Sequence, residues 1–570
     1  MAFRASLCVP ALACLCLPVA PAAAADPPTP VILISIDTLR ADHLSAYGYR
    51  RIATPNIDSF ASHGTLFTSI DSQIPLTLPS HTSLFTSAYP FEDRIEENAE
   101  PVTPGAVTLA SVLKRQGYQT AAFLGCVFLE RQMGLDQGFD VYDSPFQFEA
   151  LSPLSGSMFF GANQNPYAVR DRRDGSLVTR AATQWLAQNR NRPVFAFVHL
   201  FDLHQPYKLE AEARRRGISG YDAEIEYVDR LLGAFKKTLV DQGWWDRALV
   251  VLLSDHGEGL GQHGESAHGY FIYESTLWVP LILHWPSGPA NYPQRASQPA
   301  GLIDVAPTIL DFLRVPEPPS FRGKSLLGGL AAVGQASSEV YSETLHTYDS
   351  FGWSPLRSLR VGPYKYIDAP RQELYNLQTD PRELVNLAVK EPAKAQALRR
   401  RLMQLLARYA PQHPSPPSRS SSETRALQSL GYLSGGPRTR LEGLRPDPKD
   451  RLPEFHQYES AQADLAGGRR AAAISMLRQL LAQDPGNTLA RRDLGSAYLD
   501  QGDYANARAS LQQVLSASPD DYVTHFELGL ADENLKLFPE ALEHLETACR
   551  IAPDAQQCRS ALDALKQKMK

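Results

Sequence analysis

Thr77 in IPLTLPSHTS, Asp37 directly after VILISI, and the pair Asp255 and His256 in LVVLLSDHGEGLG carry side chains that together could run a reaction. Two carboxylates, one imidazole and one hydroxyl oxygen form a four-point site for one hard or borderline divalent ion, and Zn, Mn and Mg all suit such a set. A cation on a hydroxyl lowers its pKa, as it lowers that of bound water from about 16 to about 7. The Thr77 oxygen would then be alkoxide-like enough to attack an ester centre. Singly, each residue has a more ordinary reading, since Asp commonly ends strands in turns and Thr commonly caps helices.

These groups are far apart in the chain, so elements must gather them. From Val31 to about Pro316, short apolar runs (VILISI, TAAFL, VFAFVHL, LVVLL, VPLILH) alternate with amphipathic stretches such as YDAEIEYVDRLLGAFKKTLVDQG. Runs without polar alternation suit strands buried on both faces, and the order predicts an α/β fold with a mostly parallel sheet flanked by helices. Ligands of such sheets lie beyond the carboxyl ends of the strands. Asp37 and Asp255-His256 follow strand runs there, and His204 lies a few residues past VFAFVHL. Pro is favoured in the first turn of a helix, so PSHTSLFTS reads as a helix from Pro79, with Thr77 beside its free N–H groups and the positive end of its dipole. His81 lies on that helix and Arg40 follows Asp37 closely, both within reach of a substrate. His263 and His268 sit in the glycine-flanked EGLGQHGESAHGY, a loop by composition. His199, inside FAFVHL, reads as a core histidine or one that steadies a ligand.

The chain has 570 residues, 43% of them hydrophobic and 21% charged, with a net charge of −6. That is too long for one core and lacks the basic excess that nucleic acid or an anionic membrane would select. Residues 1–25, with Arg4, an apolar middle and PAAAAD, have the form of a secretory signal peptide, which places the mature chain in a periplasmic or extracellular compartment without a transmembrane segment. Three cysteines would leave with it; Cys549 and Cys558 could then pair, while Cys126 in FLGCVFL reads as a small buried hydrophobe.

The catalytic part is expected over 26–337. Residues 338–410 form a small α+β subdomain, with VYSET, PLRSLRVGPYKYI and QELYNL as short antiparallel strands and PAKAQALRRRLMQLLARYA as a helix. Residues 411–452 are rich in Pro, Ser, Gly and charge and read as linker. Beyond them Pro485, Pro519 and Pro553 recur every 34 residues, and Ala473, Ala507 and Ala541 keep the same period. This resembles the tetratricopeptide repeat, giving an all-α solenoid of three repeats over 453–554 and a capping helix over 555–570. Its groove is a possible seat for a protein partner, or the array is a dimerisation arm or spacer.

IDTLRADHLSAYGY, TPNIDSFASHGTLF, PLTLPSHTSLFTS, HLFDLHQPY, SDHGEGLGQHGE and VPLILHWP occur in the order found in the sulfatase-like branch of the alkaline phosphatase superfamily, and RSLRVGPYKYI with ELYNLQTDPRE is similar to its C-terminal subdomain. The resemblance implies Asp37, Thr77, Asp255 and His256 around one metal ion, Thr77 as nucleophile, and His204 and His268 as catalytic histidines facing substrate. His81, Arg40 and His263 are further substrate-binding candidates. True sulfatases place Cys or Ser within Cys/Ser-x-Pro-x-Arg and oxidise it to formylglycine; here the window is TLPSH, which cannot. Thr38 replaces the second aspartate of the start motif. His256 replaces the usual Asn of calcium sulfatases, so Zn or Mn is favoured over Mg or Ca.

The expected function is therefore an exported metal-dependent hydrolase or transferase of phosphate mono- or diesters acting through a Thr77 covalent intermediate, on a small-molecule, glycan-linked or lipid-linked ester. One alternative is a sulfuric ester hydrolase without formylglycine. Another is an inactive domain that serves as a repeat-based binding scaffold.

Overall fold

The computed structural model describes residues 28–570 except 99, 147–171, 287, 289–291, 332–338, 412–444, 552 and 554–555. The expected signal peptide and most of the expected linker lie outside the described residues. Among the described residues, no helix is long and apolar enough to cross a membrane.

A mixed sheet organises the first part. Its strands are β1 (Val31–Ile36), β2 (Gly64–Asp71), β3 (Gln119–Phe123), β4 (Val141–Asp143), β5 (Val194–Leu200), β6 (Leu249–Leu253), β7 (Trp278–His284), β8 (Arg295–Ala296) and β9 (Ala300–Gly301). The spatial order is β4-β3-β5-β1-β6-β7-β2-β8, with β9 also on β2. β1 pairs in parallel with both β5 and β6, placing Ser35 opposite His199 and Leu253. Only β7 runs against its neighbours, antiparallel to β6 and β2. β1, β5, β6 and β2 consequently all end on one side of the molecule.

The central strands are fully buried, as their unbroken apolar composition demands. One face of the sheet carries Val31, Leu33, Phe195, Phe197 and Val251 against Leu84 and Phe85. The other carries Ile32, Ile34, Val198 and Leu252 against Tyr221, Ile225 and Leu232 of the helix Gly220–Asp241. Each such side chain contributes about 1.5–3 kcal/mol through burial, enough to hold the strand ends rigidly. β2 escapes a reading by apolar runs because GTLFTSID is polar at several positions. Its polar groups are satisfied elsewhere: Thr65 Oγ1 donates to Pro293 O at 2.6 Å, and Arg360 donates to Asp71 and Ser69.

β10 (Glu339–Thr344), β11 (Leu356–Val361), β12 (Tyr364–Asp368) and β13 (Glu373–Asn376) form a second, antiparallel sheet, covered by the helix Pro392–Arg408. It docks onto the segment that leads to Thr77. Glu343 N donates to Gln73 O at 2.9 Å, and Ser342 Oγ donates to Ser72 O at 2.6 Å.

The C-terminal part is helical: Leu452–Ala466 with Arg470–Gln483, Thr488–Gln501 with Tyr504–Ala517, Tyr522–Asn534 with Phe538–Ile551, then Gln556–Lys568. The repeat period has a steric cause, since a Cβ on Gly495 or Gly529 would lie 2.6 Å from Leu511 or Leu545 on the paired helix. Cys549 and Cys558 form a disulfide between the last two helices, and Cys126 is free and buried.

Candidate active site and metal centre

Asp37 begins where β1 ends. Its backbone N–H donates to Leu200 O at 2.9 Å, continuing the ladder to β5, and its carboxylate is fully buried. Thr38 then turns the chain at φ +58, the left-handed region that a β-branched residue rarely adopts. Three contacts hold it there: Thr38 N donates to Asp255 Oδ1 at 3.2 Å, Tyr221 donates to Thr38 O at 2.6 Å, and Thr38 Oγ1 donates to Asp37 O. Strain sustained in this way is a mark of functional sites.

Thr77 opens the helix Thr77–Thr86, two residues earlier than Pro79 suggested. The start comes from Leu76, which is extended at φ −143, ψ 139, while Pro79 is tolerated because first-turn N–H groups have no helical partner. The hydroxyl of Thr77 donates to Asp37 Oδ2 at 3.3 Å. Leu78 N, the next free amide, donates to Asn98 Oδ1 at 2.9 Å, and Asn98 Nδ2 is buried without a partner.

Asp255 Oδ1 accepts from Thr38 N and, at 2.9 Å, from His256 N. The Ser80 hydroxyl donates to Asp255 O at 2.7 Å, tying the Thr77 helix to the end of β6. His256 Nδ1 donates to Gly257 O at 3.0 Å, which leaves its Nε2 lone pair free. His268 sits beside it, 4.4 Å between ring centroids, with Nδ1 on Glu258 Oε1 at 3.1 Å and Nε2 buried without a partner. His204 follows at 5.2 Å from His268, stacked on Phe201, its Nδ1 donating to Gln205 O.

Whether these residues suit a divalent cation is decided by their free atoms. Asp37 Oδ1, Asp255 Oδ2 and His256 Nε2 are all buried and lack a hydrogen-bond partner, and one ligand atom from each of the three lies within 4.8 Å of the others. Unpaired buried carboxylates are costly, and Asp37 is pushed up to about 6 chiefly by burial. A cation relieves that cost, so the residues fit one. His81, His199 and Asp255 form a second compact triad, but both nitrogens of His81 are engaged.

The remaining expected site residues, His81, Arg40 and His263, are engaged by other groups of the protein. His81 is fully buried, with Nδ1 donating to Thr77 O at 2.7 Å and Nε2 at 2.9 Å from Ser35 Oγ. It braces Thr77 from beneath, because a helical side chain at i+4 returns toward residue i. Arg40 forks onto Asp42 at 2.8 and 2.7 Å and donates to Glu258 O at 2.9 Å, so it steadies the loop after β6. His263 faces the second subdomain, stacked on Tyr273 at 3.7 Å with Nε2 donating to Arg382 O.

Sequence reasoning gave too little weight to His199 and passed over Glu258 and Asn98. Both His199 nitrogens are buried without partners, and Nε2 lies 3.5 Å from Asp37 Oδ2. A polar side chain inside an otherwise unbroken apolar strand was the available signal. Glu258 has no such signal beyond its place two residues after His256.

A sulfatase family model matches residues 29–315, half of the chain, and the model of the N-sulphoglucosamine sulphohydrolase C-terminal region matches 261–412. Tetratricopeptide-repeat models match 464–523 and 498–568. Among curated relatives, Arylsulfatase K of Bos taurus is 23% identical over 67% of this chain and 82% of its own length. Delta 4,5-hexuronate-2-O-sulfatase of Bacteroides thetaiotaomicron is 24% identical over 64% and 86%. The solved structure of phosphonate monoester hydrolase from Agrobacterium radiobacter superposes with a TM-score of 0.53 at 22% identity, covering 67% of this chain and 96% of that one.

Proposed function

This chain belongs to the sulfatase family and is a hydrolase acting on ester bonds, and from that premise we propose that it cleaves phosphate mono- or diesters by attack of Thr77 Oγ1. The observation that carries this reading is the placement of the Thr77 hydroxyl on Asp37, beside the free atoms of Asp255 and His256, at the open end of a helix. Asp37, Thr77, Asp255 and His256 would hold one divalent ion, with Zn or Mn favoured by the imidazole; when bound, it polarises the ester and lowers the pKa of the hydroxyl it touches.

Thr77 Oγ1 passes its proton to Asp37 Oδ2, to which it already donates, and forms a bond to phosphorus as the bond to the leaving oxygen breaks; that oxygen takes a proton from His268 Nε2. Water then adds to phosphorus, its proton passes to His268 Nε2, and the bond to Thr77 breaks as Asp37 Oδ2 returns the proton to Thr77 Oγ1. Glu258 fixes the orientation of His268 through Nδ1. Asn98 Nδ2 and the helix N-terminus favour the anion as charge develops, and His204 does so only when its Nε2 is also protonated.

A second reading, hydrolysis of sulfate esters, is supported by the names of the relatives, Arylsulfatase K among them. It requires water to attack sulfur in a sulfated Thr77, because threonine cannot supply formylglycine. Rates on phenyl phosphate, a phosphodiester, a phosphonate monoester and phenyl sulfate, measured with added Zn or Mn, separate the two. Sulfate turnover ahead by orders of magnitude reverses the preference.

We place the enzyme outside the cytoplasm, in a periplasmic or extracellular compartment, a reading supported by the form of residues 1–25 and by the Cys549–Cys558 disulfide. The ester's alcohol is a small molecule, a glycan or a lipid head group, and the repeat groove takes a protein partner.

A further inference from the structure

The loop from Gly257 to Tyr273 carries Glu258 and His268 and folds back on itself. Gly259 N donates to Ala267 O at 2.6 Å, Leu260 N to Ser266 O at 3.3 Å and Gly261 N to Glu265 O at 2.7 Å. Gly261 and Gly264, both at φ +83, form its tip. A glycine-rich turn of this kind has many conformations open to it, and ordering each residue is entropically costly.

The tip rests on the first helix of the repeat array, Leu452–Ala466. Ser266 Oγ donates to Glu459 Oε1 at 2.5 Å, and His456 Nε2 donates to Gly264 O at 2.6 Å. The Phe455 ring lies 3.8 Å from that of Tyr270. Gly264 approaches so closely that a Cβ there would be 3.1 Å from Leu452 Cδ2. Leu452, Phe455, His456 and Glu459 stand at i, i+3, i+4 and i+7, one face of the helix. Their contacts at Gly264, Ser266 and Tyr270 fall on both sides of His268.

We propose that this helix is a positioning element of the active site: Glu459 and His456 hold the 259–271 turn so that His268 stays against Glu258 and beside His256. The first helix of the repeat array is then part of the catalytic unit, whatever its groove binds. The catalytic consequence rests on the role given to His268 above; the mechanical part does not. A shift of about 1 Å in a reacting group costs about a hundredfold in rate, so a loop held from outside is a sensitive point.

The test uses the full-length, metal-loaded protein with Glu459→Ala, Glu459→Gln, His456→Ala and His268→Ala, assayed on phenyl phosphate and phenyl sulfate, with hydrogen exchange followed by mass spectrometry. Glu459→Ala is expected to lower kcat about tenfold with little change in KM. Exchange should quicken in the peptide covering 259–271 while peptides covering 31–37 and 249–256, and the metal content, stay as they were. Glu459→Gln, whose amide oxygen still accepts from Ser266, restores both. In the His268→Ala background, Glu459→Ala costs nothing further. The proposal is overturned if exchange in 259–271 is unchanged in both Glu459→Ala and His456→Ala, or if the full kcat loss persists without His268. Faster loop exchange in a chain that turns over neither ester supports the positioning and removes the functional reading instead.

Discussion

The Thr77 hydroxyl lies 3.3 Å from Asp37 Oδ2, although 40 positions separate the two residues. One ends a central strand and the other begins a helix on the same side of the sheet, so the contact is a product of the topology. Thr77→Ala is expected to lower kcat/KM by about a thousandfold or more, the usual scale for losing an activated nucleophile, while Thr77→Ser keeps measurable turnover. Steady-state kinetics check this. A phosphate or sulfate mass increment on the peptide containing Thr77, after acid quench, identifies the intermediate directly.

Removing the imidazole or a carboxylate from the free-atom triad should release the cation. His256→Ala and Asp255→Asn are expected to purify with substoichiometric metal, measured by elemental analysis. Their thermal midpoints should no longer rise with added Zn or Mn, since an ion that binds only the folded state stabilises it by mass action. A wild type that purifies without metal and ignores chelators would remove the site.

His81 separates a brace from a substrate contact. Its ring bonds Thr77 O and Ser35 Oγ in a fully buried position. His81→Ala leaves a cavity and strands the Ser35 hydroxyl, a loss of about 2–4 kcal/mol by chemical denaturation. KM of the folded fraction should change little, whereas a residue that touched substrate would raise it.

In the repeats, Glu527 is buried, accepts from Ser496 Oγ at 2.8 and 2.7 Å, and is pushed up to about 8, chiefly by desolvation. Unfolded, it titrates near pH 4, at about 4.3. Between those values the folded chain keeps a proton that the unfolded chain has lost, so its stability contribution is full below the unfolded pKa and disappears as pH rises toward 8. Thermal unfolding of the repeat array should therefore move to lower temperature across that window. Glu527→Gln should flatten the slope, and an identical slope in both proteins would reject the assignment.

Much of the architecture was open to reading because burial on both faces of the sheet demands unbroken apolar runs, and β1, β3, β5, β6 and β7 have them. β2 lacked the pattern because its polar side chains find partners in distant segments, which no local window contains. The reversed direction of β7 was hidden for a related reason: strand composition records burial, not polarity of pairing. His81 and Arg40 were read from proximity along the chain to Thr77 and Asp37, but rotamer direction and competing partners, Ser35 for one and Asp42 for the other, decide where such side chains point.

By itself the sequence determined the class of fold, the 34-residue repeat and the placing of Asp37, Asp255 and His256 immediately after strands, because period, burial and turn chemistry are local properties. Only the tertiary structure decided that Asp37 Oδ1, Asp255 Oδ2 and His256 Nε2 have no partner, that His199 turns toward Asp37, and that the first repeat helix rests on the loop of His268. Those are contacts between segments up to about 200 residues apart, and which side chain is left unpaired depends on every neighbour that packing brings to it at once.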